Sequence, residues 1–570
     1  MHKQYLFNFV LLPLILINFS CSGGNSSNTD SSKINLFKSS LNSQFTDSNL
    51  ISLIELINNQ VFVTFENQTS MSIDSDLVSY ISDNWETTFT FSDNTTLTIG
   101  SVDDELAIDF LTNQNIKTPL SRKIFINIPY DGLLSWKVEG RNGISSDISQ
   151  QGISVSRGIN TIQIHGLYRD GPSNVVLSYT NNENQLRFEE SYSVNPLEAI
   201  NLISFIEFDL TLNEFPEEQR FFLLSHRSYE GPIVIDQWGD IRYFLNERVS
   251  FGLKQGVNGN LYWAFTNYIK EANLSGEIVI DKEIPEKYGQ IHHDILKIND
   301  STFILTVNND ELTTLEDWII AYDVFNDEVI NEWDLNLSVP KTDYFIGSDG
   351  RADTFNDWFH VNAIDYVESD NSLLISGQRS AVVKVSWENE LKWILTDPVR
   401  FQNQNKILFN QQNEIITWGQ HNIRFNPIND EYYLFDNGLG RYYSNNVKFS
   451  RGVKFTIDEN NLSYSILSTY GQNYPEYHSP IISGIDFDEQ NNVIVLFGSI
   501  GYELEYINNK DWIGNIWKSP VPEYGAVIQE YSSEGELNLE IKVSGIIGDP
   551  SDTSTLRDAG IYRVSRFNFN

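Results

Sequence analysis

The chain has little of what usually cross-links a fold or binds polyanions. Cys21 is its only cysteine, so no internal disulfide can form, and only two methionines occur among 570 residues. Cations are scarce: 38 Lys and Arg face 77 Asp and Glu, for a net charge of −39. That balance excludes a nucleic-acid partner, whose phosphates call for clustered Lys and Arg. An anionic substrate would need a local cationic pocket within a repulsive acidic surface. Few stretches carry a helical period, and beyond residue 20 no apolar run is long enough to span a membrane, which leaves little room for a helical bundle.

What is present points to strands. The chain has 27 Tyr, 35 Phe and 12 Trp, in short alternating runs between Asn, Ser, Thr and Gly turns. An all-β protein follows, and its length exceeds the roughly 250 to 300 residues one core supports, so it is modular.

Residues 1–20 have a basic start and an apolar run, and they resemble a bacterial lipoprotein signal peptide that ends at Cys21, the expected lipidation site. Residues 21–45, rich in Ser, Asn and Gly, read as a flexible tether. The expected location is therefore outside the cytoplasm, periplasmic or at the cell surface, with the N-terminal lipid in the membrane. Residues 46–112 read as a small β module and 113–200 as a β-sandwich, with runs such as Lys123-Ile-Phe-Ile-Asn-Ile and Asn174-Val-Val-Leu-Ser-Tyr.

Over 201–570 a strand–tight turn–strand unit recurs at Asp236, Asn273, Asp323, Val385, Phe455 and Tyr531. A second apolar strand recurs between copies, at Asn260, Ser301, Asn371, Glu431 and Asn492. Two hairpins per unit make a four-stranded blade, and the pattern predicts a six-bladed β-propeller closed by the last segment, Gly560-Ile-Tyr-Arg-Val-Ser.

Four histidines open inner apolar strands of three successive units: His292 and His293, His360, and His421. Aligning Asp294, Asn362 and Asn422 brings these imidazoles into register around one channel mouth. A lone histidine of this kind is more often a satisfied strand-end residue, but three in register are not explained that way. His165 reads as structural, and His226 and His478 stay undecided. The histidines could instead hold a metal, although no carboxylate or thiol completes a familiar ligand spacing. Arg379, just beyond the His360 strand, favours an anion.

The segment Asp357-Trp-Phe-His-Val-Asn-Ala-Ile-Asp-Tyr through Gly377-Gln-Arg379, with His292-His-Asp, Gln420-His-Asn and Leu434-Phe-Asp-Asn-Gly-Leu-Gly-Arg441, resembles the bacterial arylsulfate sulfotransferases. The resemblance covers the chain from about residue 115 onward. It implies transfer of a sulfuryl group from an aryl sulfate donor to a phenolic acceptor without PAPS or any other cofactor, by ping-pong kinetics. It also implies a covalent role for His421 as sulfohistidine, with His360, Asn362, Arg379 and one of His292 or His293 around it; register favours His292. Two alternatives stay open, a surface-anchored glycan-binding module and a different propeller hydrolase or lyase. The choice between monomer and homodimer stays open too.

Overall fold

In the computed structural model the described residues run from 117 to 569, apart from 129–130, 157, 182–185, 197–205, 227–230, 341–356, 399–404, 440, 442–447, 501, 507–512, 519–523, 548–556 and 559, together with strands between 51 and 109. The expected signal peptide, Cys21 and tether lie outside them. The chain divides into two compact units, one comprising residues up to Leu197 except Arg141–Ser146, the other comprising that short insert and Glu198–Asn570. Among the described residues no helix is long and apolar enough to cross a membrane.

In the first unit, Ile51–Ile57, Gln60–Phe65 and Ser70–Ser72 form one three-stranded sheet, and Leu77–Ser82, Glu86–Phe91 and Thr96–Gly100 form another. A four-stranded and a further three-stranded sheet follow. Gly132–Val138 and Ser173–Asn181 bury every second residue, among them Leu134, Trp136, Leu177 and Tyr179. Such alternation is what one core-facing side of a strand produces.

The second unit contains, among the described residues, six sheets of four or more strands, antiparallel except where Phe409–Asn410 pairs parallel with Ser463–Tyr470. One runs Ile291–Lys297, Thr302–Val307, Trp318–Asp323 and Glu328–Asp334 in sequence order, and its neighbour runs Val361–Val367, Ser372–Gly377, Val382–Ser386 and Leu391–Leu395. The recurring hairpins are the third and fourth strands of these sheets. The C-terminal strand Ile561–Arg566 pairs antiparallel with Phe221–His226, Leu224 opposite Val564, so the last strand completes the first sheet.

Local chemistry explains the hairpins. Oδ1 of Asp236 accepts from the backbone N–H groups of Trp238 and Asp240, Asn273 from Ser275 and Glu277, and Asp488 from Gln490 and Asn492. These Asx turns reverse the chain without tertiary help. Second strands such as Thr302–Val307 and Ser372–Gly377 are buried along their whole length, because the core lies between consecutive sheets. Trp333, Ile304 and Ile319 of one sheet pack with Trp358, Leu373 and Val383 of the next. Removing each such side chain from water contributes about 1.5–3 kcal/mol.

The first strands of consecutive sheets lie side by side, and polar side chains fasten each to the next. Asp294 Oδ2 accepts from Ile364 N at 3.0 Å, Asn362 Nδ2 donates to Gln420 O at 2.7 Å, and Asn422 Nδ2 donates to Ile485 O at 2.6 Å. The aligned Asx residues that set the histidine register are thus inter-sheet fasteners. Phe251 of the strand Phe251–Gln255 and Tyr562 of the C-terminal strand have ring centroids 5.6 Å apart.

Candidate functional site

The histidines sit where these first strands break register. Between Ile291 and Ile295, Val361 and Ala363, and His421 and Ile423 the pairing shifts by a bulge. His293, His360 and Asn422 take positive φ values of 52°, 60° and 58°. Bulges re-aim side chains beside active sites, and left-handed backbone at residues other than glycine costs about 1–3 kcal/mol unless its surroundings enforce it.

His360 is the electrostatic centre. Its Nδ1 lies 2.6 Å from Glu316 Oε2 and 2.9 Å from Asp357 Oδ2. Burial opposes charging of this ring, yet the two carboxylates outweigh it and push the pKa up to about 10, so the ring is an imidazolium at neutral pH. The neighbouring imidazoles hold Glu316 well below the usual carboxylate range despite its burial. Glu316 is held by its backbone: its N–H donates to Asn308 Oδ1 at 2.8 Å, and its carbonyl accepts from Val361 N at 2.8 Å.

His293, not His292, lies against His360, with ring centroids 4.8 Å apart. The sequence register favoured His292 because it could not include the bulge that turns His293 inward. The two remain coupled, Nδ1 to Nδ1 at 2.9 Å, so one donates and the other accepts. Burial lowers both pKa values, that of His293 far below the ordinary histidine value, and both rings are neutral. Phe251 stacks on His293 with centroids 5.2 Å apart.

His421 is buried, and its Nδ1 lies 2.9 Å from Asn437 Oδ1. Asn437 Nδ2 donates to the carbonyls of Ser479 and Ile482 at 2.7 and 2.9 Å. The amide orientation is thereby fixed, His421 Nδ1 must carry the proton, and Nε2 keeps its lone pair. Burial and then the Arg563 charge lower its pKa to about 3, so the imidazole stays neutral throughout the working pH range.

Arg379 reaches this cluster but is engaged there. Its Nη2 lies 2.7 Å from Asp357 Oδ2, and its Nη1 donates to Asp357 O at 2.7 Å. Among the described residues its buried Nε has no partner. Asn362 is fully buried, its Nδ2 given to the fastening bond and its Oδ1 left without a partner. Of the other histidines, His165 pairs with Ser121 Oγ at 2.9 Å. His478 is buried, among the described residues neither of its ring nitrogens is bonded, and burial lowers its pKa to about 3. The His226 side chain lies outside the described residues.

Glu316, Asn437 and Arg563 were not singled out by sequence reasoning. Glu316 sits in a loop without a motif, Asn437 inside a stretch whose fit to the family gave it no role, and Arg563 on the closing strand. Glu316 also supplies the carboxylate that a metal reading lacked. His292, His293 and Glu316, and likewise Glu316, Asp357 and His360, bring ligand atoms within 4.8 Å of one another. In the second group the two carboxylates already pair with His360, and Asp357 with Arg379 as well, and the first group would have to draw Glu316 away from His360.

The chain is 22% identical over 340 residues to "Arylsulfate sulfotransferase AssT" of Escherichia coli O6:H1, covering 46% of this chain and 57% of that protein. It is 23% identical over 343 residues to the protein of the same name from Lelliottia amnigena, covering 47% and 57%. It thus spans little more than half the length of the curated relatives it matches. A solved protein of unknown function from Bacteroides caccae aligns at TM-score 0.34 and 10% identity, over 61% of this chain and 98% of the other, too loosely to bear on the fold. The family model "Arylsulfotransferase (ASST)" matches residues 211–549, a span that includes His292, His293, Glu316, His360, Arg379, His421 and Asn437, and the chain belongs to that family.

Proposed function

We propose that the protein transfers a sulfuryl group from an aryl sulfate to a phenol through a sulfohistidine at His421, on a six-bladed β-propeller. The observation that carries this reading is a neutral His421, its Nε2 lone pair fixed by Asn437, within electrostatic reach of His360, which belongs to the neighbouring sheet and is protonated in the resting site.

Sulfuryl transfer, like phosphoryl transfer, calls for positioning and for charge stabilisation of peripheral oxygens. In the first half-reaction the Nε2 lone pair forms an N–S bond as the aryl O–S bond breaks. The leaving phenolate takes a proton from the His360 imidazolium. Sulfation places positive charge on the His421 ring, so its Nδ1–H bond to Asn437 becomes charge-assisted and is stronger in the intermediate than in the resting site. In the second half-reaction the acceptor phenol gives its proton to His360, its oxygen bonds to sulfur, and the N–S bond breaks. One site serves donor and acceptor in turn, which is ping-pong behaviour. Glu316 and Asp357 keep His360 charged between turnovers, and Arg379 holds Asp357 in place. The reading of residues 1–45 adds an exported lipoprotein anchored through Cys21, outside the cytoplasm.

Incubation with 4-nitrophenyl sulfate, with and without phenol, tests the reading. Sustained nitrophenol release that depends on phenol supports transfer, whereas no release in either case contradicts it. The Glu316-centred ligand groups favour metal-dependent hydrolysis as a second reading; it requires release without phenol that chelation abolishes.

A further inference from the structure

The acidic chain raises the question of which cation meets the sulfuryl oxygens. Arg379 is neutralised by Asp357, and His360 is matched by two carboxylates. Other cations of the first strands are paired as well, Lys254 with Asp294 at 2.7 Å and Arg424 with Asp486 at 3.0 Å. Arg563 differs from all of these. Among the described residues it makes no ion pair; its guanidinium donates to carbonyls, Nη1 to Ser483 and Tyr562 and Nη2 to Asn362 at 3.1 Å. It rests over the Tyr562 ring, 4.5 Å from the centroid, and is half-buried.

Asn362 lies on the strand to one side of the His421 strand, Ser483 immediately precedes Gly484–Phe487 on the other side, and Tyr562 is on Arg563's own strand. A Cβ on Gly484 would lie 3.3 Å from Arg563 Cδ and 3.1 Å from Asn422 Nδ2, so the arginine stem runs beside the residue that follows His421. Carbonyl partners orient a guanidinium without cancelling its charge, and a guanidinium presents two parallel N–H donors to tetrahedral oxyanions. We infer that Arg563, delivered by the ring-closing C-terminal strand, is the catalytic cation that binds the sulfuryl oxygens of an aryl sulfate ester beside His421 Nε2. This rests on the sulfuryl-transfer reading. It also means the site is incomplete until the last strand has paired with the first sheet.

The test compares Arg563→Met and Arg563→Lys with the full-length protein. Readouts are kcat/KM for 4-nitrophenyl sulfate, and carbethoxylation of His421 by the neutral reagent diethyl pyrocarbonate, followed by peptide mapping with and without inorganic sulfate. The expected result for Arg563→Met is a loss of about 10²–10³ in kcat/KM, ordinary carbethoxylation of His421, and no protection by sulfate. Arg563→Lys should recover part of both the turnover and the protection. Turnover within threefold of the parent, or protection retained in Arg563→Met, overturns the inference. So does loss of His421 carbethoxylation, since that marks a structural role. If the parent protein shows sulfate protection but no turnover, the transfer reading fails while the anion site stands.

Discussion

Glu316→Gln removes the charge closest to His360 and keeps the side chain's size. The carboxylate lies 2.6 Å from Nδ1. With charge centres about 4 Å apart and an effective dielectric of about 20, their attraction is about 4 kcal/mol, or about 3 pK units at 1.36 kcal/mol each. His360 should therefore fall from about 10 to about 7, with Asp357 still holding it above a bare buried histidine. In the proposed transfer the leaving phenolate takes its proton from this ring, so the variant should match the parent at pH 6 and lose activity as pH rises through 7. By pH 9 only about one molecule in a hundred would be protonated. The donor half-reaction, read as the burst of phenol from phenyl sulfate with no other phenol added, uses a leaving group basic enough to need the proton and keeps acceptor ionisation out of the profile. A uniform loss at every pH, or an alkaline limb left near the parent's, would refute the assignment of Glu316 as the group that charges His360.

Asn437→Ala frees His421 to adopt the other tautomer and removes the acceptor for its charged intermediate; the burst rate should drop by about 10² or more, with a lower melting temperature because the Ser479 and Ile482 carbonyls lose their donor. Asp436→Asn should lower stability with little change in the burst rate. Asp436 is fully buried and paired with Arg441 and Arg451, and leaving two guanidiniums with a neutral partner should cost about 3–5 kcal/mol, seen as a lower denaturant midpoint. The raised His360 pKa also links stability to pH. The charged ring stabilises the fold fully below its unfolded value near 6.5, and that stabilisation is lost as pH rises through about 10. Thermal scans from pH 7 to 11 should show the decline in the parent and a smaller one in His360→Gln.

The strands and hairpins were legible because their causes are local: Asp236, Asn273 and Asp488 cap their own turns, and strands such as Thr302–Val307 are apolar along their length because both faces are buried. His360 and His421 were legible for a similar reason, each opening a recognisable strand. Other features depend on long-range pairing. His293 is turned inward by a bulge defined only against Val307 and Leu305. Glu316 is one of 77 acidic residues, and nothing local marks it as the partner of His360. Arg563 comes within electrostatic reach of His421 only because the last strand pairs with the first sheet. Asn362, carried over by its fit to the family pattern, proves to fasten one sheet to the next through Nδ2. Arg379, expected as a cation beside the histidines, is tied into an ion-pair chain with Asp357, His360 and Glu316.

The most direct test of the covalent mechanism is to trap the protein with 4-nitrophenyl sulfate in the absence of a phenol, quench at alkaline pH, and map the modified peptide by mass. The expected result is one acid-labile increment of about 80 Da, the mass of SO₃, on His421, absent from His421→Ala and discharged by adding phenol. An increment on His293, His360 or a tyrosine, or nitrophenol release with no labelled protein, would contradict it.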